Sequence, residues 1–120
     1  MPREKSDIAC LWDMLDAARA VTLFVQGRSF QEYSADLMLR SAVERQVEIL
    51  GEAARCVSQE FQQSHPQIPW QGIIGQRHVL AHDYGGIKHD RLWRVATELV
   101  PRLIELLEPL VPQEPPEPKS

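Results

Sequence analysis

Five side chains able to move protons or hold an anion crowd into eight positions: Arg77, His78, His82, Asp83 and Tyr84. They lie in Gly75-Gln76-Arg77-His78-Val79-Leu80-Ala81-His82-Asp83-Tyr84-Gly85-Gly86, which reads as the end of a helix stopped by its two glycines. A helix buried on every side would not carry this set, because an unpaired polar group costs about 1–3 kcal/mol to bury. His78 and His82 are i,i+4 neighbours on one stripe. Arg77 and His82 stand about 140° apart at 100° per residue. They converge if the arginine reaches round, if the helix loosens near the glycines, or if a second subunit completes the site.

The chemistry open to such a set is cleavage of an RNA phosphodiester without a metal ion. A histidine near neutral pKa takes the proton from a ribose 2′-OH or gives one to the leaving 5′ oxygen. An arginine holds the phosphate with two parallel hydrogen bonds and stabilises the extra charge of the pentacoordinate transition state. One strong histidine per chain makes a two-fold dimer attractive, since two Arg-His pairs at a shared cleft offer an acid and a base. Other readings stand beside this one. The histidines also suit a helix C-terminus facing the macrodipole. Arg77 could be a surface partner of Glu48 or Glu52, and those carboxylates, or Asp83, could equally orient it for catalysis. His78-x3-His82 has the spacing of a metal pair, with Asp83 or His89 to follow, but lacks the glutamate of His-Glu-x2-His. Tyr84 could be a core residue. Arg40, Arg45 and Arg55 could flank an RNA path or simply be solvated, and His65, before a proline, reads as solvated.

The positioning elements follow from apolar spacing. Ile8, Leu11, Leu15, Ala18, Val21 and Val25 predict a helix from Ser6, a suitable N-cap, to Gln26, with Gly27 to stop it. Leu39, Val43, Val47, Leu50, Ala54, Val57 and Phe61 predict a spine from Ser34 to Gln63, about 45 Å long, with a close crossing at Gly51. Pro66 and Pro69 end it and seed the next helix, which runs from Trp70 to Tyr84. A last helix from Asp90 carries Leu92, Val95, Ala96, Leu99, Leu103, Leu106 and Leu110, with a kink or break at Pro101. Trp12, Trp70 and Trp93 read as core or interface anchors. The expected fold is all-α, an antiparallel helical bundle of four to five helices over 1–108, followed by a disordered Pro-rich tail over 109–120.

Composition narrows the classes. A chain of 120 residues with 43% hydrophobic and 25% charged side chains has room for one core. Its net charge of −4 argues against binding nucleic acid through a broad basic surface, so any RNA chemistry must come from a local site. Cys10 and Cys56 form no Cys-x2-Cys pair and read as reduced thiols of a cytosolic protein, a disulfide being unexpected. The charged start, Met-Pro-Arg-Glu-Lys, is unlike a signal peptide, and no apolar run is long enough for a membrane span. A cytoplasmic protein is expected.

Arg77-x4-His82-x-Tyr84 resembles the Arg-x4-6-His signature of the HEPN superfamily, in the Arg-x4-His-x-Tyr form typical of HepT-like toxins. The run from Ala42 to Ala54 is similar to that family's long second helix, and Ile68-Pro69-Trp70-Gln71-Gly72-Ile73-Ile74-Gly75 to the lead-in to its active helix. The resemblance covers most of the chain. It implies a HEPN-like dimeric bundle, a metal-independent endoribonuclease or tRNA-damaging toxin that needs no cofactor. It also implies a minimal nucleotidyltransferase antitoxin as partner, which silences the toxin by moving AMP from ATP to a tyrosine. Carried over by position, Arg77 and His82 are catalytic and Tyr84 takes the AMP. His78 stands where HepT-like chains usually have asparagine and joins the site as a polar substitute. RNA is the implied substrate, with neither DNA nor membrane expected. The alternative is a non-catalytic helical subunit that docks on a nucleotidyltransferase and helps present its substrate.

Overall fold

The computed structural model describes residues 5–82 and 86–113, and for 77–82 and 86–88 the course of the backbone only. Ser6 accepts a hydrogen bond from the Ala9 amide at 3.1 Å and starts α1, Asp7–Val25. A turn with Gly27 in the left-handed region, φ 74°, leads to α2, Phe30–Ala35, which opens on a capping box between Ser29 and Glu32. Asp36 then caps α3, Leu37–Cys56. Ser58 caps α4, Gln59–Ser64, and α5 runs Trp70–His82. After α6, Gly86–Arg94, a π-helical turn over Val95–Leu99 continues into α7, Val100–Leu107, and a 3-10 turn, Glu108–Leu110. The described residues contain no strand. The fold is all-α, and its principal helices are α1, α3, α5 and the combined α6–α7.

α3 is the spine. It packs against α1 on one side and α5 on another, while α7 covers α1. The buried residues of α3 are Leu39, Val43, Val47, Leu50, Gly51, Ala53 and Ala54, the stripe expected from spacing. α1 is buried over more of its circumference than its stripe suggests. Cys10, Trp12, Met14 and Ala17 join Leu11, Leu15, Ala18, Val21 and Val25 in the core, because helices cover it from two sides.

Several expected boundaries move. The single helix over Ser34–Gln63 is three pieces: Asp36 and Ser58, whose side chains satisfy the first free amides of α3 and α4, mark the breaks. The last helix starts at Gly86, before Asp90. The break expected at Pro101 appears as the π turn preceding it. The Val100 amide reaches back five residues to the Val95 carbonyl, which loosens the backbone where proline offers no N–H and its ring would crowd the preceding turn. Leu110 and Val111 pack against the core although they fall in the stretch read as a tail, and residues 114–120 lie outside the described part.

The cysteines require the largest correction. Expected as separate thiols, Cys10 on α1 and Cys56 at the end of α3 are joined as a disulfide, with Cα atoms 5.9 Å apart. They are 46 positions apart in sequence, and only the packing of α1 on α3 makes them neighbours. The same corner carries a second tie: the Asp7 carboxylate accepts from the Ser58 amide and from the Ser58 hydroxyl, both at 2.8 Å.

Candidate active site

α5 is built to be held firmly at its start. Trp70 is buried and its indole N–H donates to the His65 carbonyl at 3.0 Å, while the Ile73 amide donates to Pro69 at 3.0 Å. His65, expected to be solvated, is half-buried. Its ring stacks on Phe61 with centroids 4.0 Å apart, and Nδ1 donates to the Phe61 carbonyl at 3.0 Å. The sequence Phe61-x3-His65-Pro66 held that signal, since four residues is one helical turn. Gln62, buried beside it, donates from Nε2 to the carbonyls of Val57 and Ala54 and ties α4 to the end of α3. α5 therefore begins beside the end of α3 and runs back along it.

The α5 backbone stays helical through His82, so Arg77, His78 and His82 are presented from one regular segment. Positions 78 and 82 share a stripe, and position 77 lies about 140° round from 82. The side chains of these three, and the residues Asp83 and Tyr84, lie outside the described part, as does Gly85 of the expected glycine stop. Glu48, considered as an orienting group for Arg77, stands 3.9 Å from Arg45 on its own helix. Glu52 is exposed and lines a groove of about 740 Å³ between α1 and α3. Arg40 donates to the Ser34 carbonyl at the end of α2. Immediately before Arg77, the Gln76 side-chain oxygen is buried with no hydrogen-bond partner among the described residues, an acceptor that the spacing of charged residues did not single out.

Where α2, α3 and α6 meet, Tyr33 is fully buried with its ring 5.3 Å from that of Trp93, and Phe30 flanks the same indole at 6.1 Å. Trp93 is thus an aromatic anchor between α6 and α2, while Trp12 and Trp70 belong to the core. Among the described residues the Tyr33 hydroxyl has no hydrogen-bond partner. Burial, then the negative charge of Glu44, pushes the phenol up to about 12, with Arg40 pulling the other way. Tyr33→Phe removes this orphan group and is expected to raise stability by about 1 kcal/mol at neutral pH. Above pH 10 the unfolded phenol ionises while the buried one keeps its proton. The wild-type chain should therefore lose on the order of 2–3 kcal/mol between pH 10 and 12, a loss the phenylalanine variant lacks. Denaturant unfolding of both chains at neutral and alkaline pH checks this.

Among the described residues no three histidine, cysteine or acidic side chains gather closely enough to hold a metal ion, a statement that does not cover His78, His82 or Asp83. Nor is any described helix long and apolar enough to cross a membrane.

Most of this helical bundle matches a known protein family. The family model described as "Ribonuclease HepT-like" matches residues 14–110. The chain belongs to the HepT-like ribonuclease family. It is 36% identical over 105 residues to "Putative RNase MJ1380" of Methanocaldococcus jannaschii, covering 87% of this chain and 96% of that one. It is 32% identical over 93 residues to "Probable ribonuclease HepT" of Thermococcus cleftensis, covering 78% and 84%. "Putative RNase TTE0752" of Caldanaerobacter subterraneus is 32% identical over 90 residues, covering 75% and 80%. No solved structure matches the chain.

Proposed function

We propose that this protein is the toxin of a toxin–antitoxin pair, a metal-independent endoribonuclease that acts on RNA, tRNA in particular, from the cytoplasm. The observation that carries the reading is the sequence Arg77-x4-His82-x-Tyr84, whose Arg77 and His82 belong to α5, in a chain whose family match spans residues 14–110. His82 takes the 2′-OH proton, the freed oxygen attacks phosphorus, and the 5′ oxygen leaves with a proton from a second imidazole. Arg77 holds the phosphate oxygens as charge builds on them. In a homodimer the second imidazole is the other chain's His82; within one chain His78, on the same stripe of α5, is the nearest alternative.

Silencing follows from Tyr84. Its hydroxyl attacks the α-phosphorus of ATP held by a minimal nucleotidyltransferase, losing its proton as pyrophosphate leaves. The product carries a phosphodiester anion two residues from His82, so Arg77 pairs with AMP rather than with RNA. Purified unmodified protein should cut tRNA in the presence of EDTA, and treatment with the antitoxin and ATP should stop it. Tyr84→Phe should keep cutting after that treatment. If unmodified protein leaves tRNA intact, the reading as an enzyme fails in favour of a docking subunit; if the phenylalanine variant is silenced by AMP transfer, the modification lies elsewhere.

A further inference from the structure

The two sulfurs of the Cys10–Cys56 bond live in different surroundings. Cys10 is fully buried in the apolar core, as are Leu11 and Met14 of the same helix, while Cys56 is exposed at the last residue of α3 and lines the groove of about 740 Å³ between α1 and α3. Attack on a disulfide needs an incoming thiolate to reach one sulfur while the other departs. Here access selects Cys56 as the sulfur attacked and leaves Cys10 as the sulfur expelled. We propose that Cys10–Cys56 is a thiol–disulfide exchange site, entered at Cys56 from the α1–α3 groove by a small-molecule thiol, with Cys10 as the leaving and resolving sulfur.

The electrons balance with the thiol as reductant. Its thiolate forms a bond to Cys56 Sγ, the Cys10–Cys56 bond breaks, and its electron pair goes to Cys10, which takes up a proton because an apolar site disfavours the thiolate. A second thiol then attacks the small-molecule sulfur and releases Cys56, so two thiols become one external disulfide and the protein gains two S–H groups. In reverse, an oxidised thiol loads Cys56 and Cys10 expels it. The packing of α1 on α3 holds Cys10 beside Cys56 and makes that last step intramolecular. The bond closes a loop across a separation of 46 residues, which constrains the unfolded chain strongly. Once it opens, that corner keeps only the Asp7–Ser58 hydrogen bonds of those two ties. This site is independent of the chemistry on α5.

The test equilibrates the full-length chain with mixtures of reduced and oxidised glutathione, traps free thiols by alkylation and counts them by mass spectrometry. Two thiols should appear together as the reduced form is raised, and the thermal midpoint should fall by about 10 °C over the same range. With oxidised glutathione, Cys10→Ala should carry one glutathionyl group on Cys56, and Cys56→Ala none on Cys10. Two free thiols in the wild-type chain at every ratio would overturn the proposal. So would a glutathionyl group on Cys10 in Cys56→Ala, or none on Cys56 in Cys10→Ala.

Discussion

With His82 changed to alanine, the chain is expected to cleave RNA about 10²–10⁴-fold more slowly, the usual worth of a positioned proton-transfer group. Arg77→Ala should cost about 10²–10³-fold, because its part is to stabilise charge that grows in the transition state. Arg77→Lys should recover little of that, since an ammonium restores the charge but not the planar fork that grips two phosphate oxygens. Substitutions on a regular helical backbone with a firmly anchored start should leave the fold intact. Initial rates on labelled tRNA, with circular dichroism of each variant, separate lost chemistry from lost structure. If the two alanine variants cut as fast as the parent, the cleavage belongs to other residues.

The second large effect concerns the spine. Leu50 is buried on α3, the helix that packs against both α1 and α5. Leu50→Ala leaves a cavity that neither neighbour can close without losing its contact with the other, so the cost should fall in the upper part of the range of about 2–5 kcal/mol for such truncations. For a domain of this length that lowers the thermal midpoint by roughly 10–20 °C. Leu37, on the first turn of the same helix, is 68% exposed, and Leu37→Ala should change stability by less than about 0.5 kcal/mol. Thermal unfolding of the two variants side by side measures the difference. Equal losses would mean that α3 is not the shared wall of the bundle.

Much of the fold could be read from the chain because helix stripes are local. Ser6 as a cap, the α1 and α3 stripes, the Pro69-Trp70 start of α5 and the all-α class follow from residues within one or two turns of each other. What escaped depends on contacts between distant segments or on a cap outweighed by periodicity. α2 was hidden because its six residues bury only Tyr33. The break at Val57-Ser58 was hidden because Phe61 continues the stripe by chance of spacing. The Cys10–Cys56 bond could not be seen without knowing that α1 lies along α3. For the candidate site, sequence supplied Arg77, His78, His82 and Tyr84 as expectations, and the fold adds the anchoring of α5 and a Gln76 oxygen with no partner among the described residues.

The wide turn over Val95–Leu99 has a consequence for the phase of everything after it. Spacing carried forward from Leu92 and Ala96 points to Leu99 and Leu106, whereas the chain buries Val100 and Leu107 with Leu103 between them. The turn swallows a surplus residue and hands the remainder of the helix to α1 rotated by one place. A version of the chain shortened by one residue in this stretch would bury the same side chains with an unbroken α-helical ladder. A one-residue deletion within this turn should therefore leave the packing of α7 on α1 in place, whereas a deletion elsewhere in the helix would rotate α7 by about 100°.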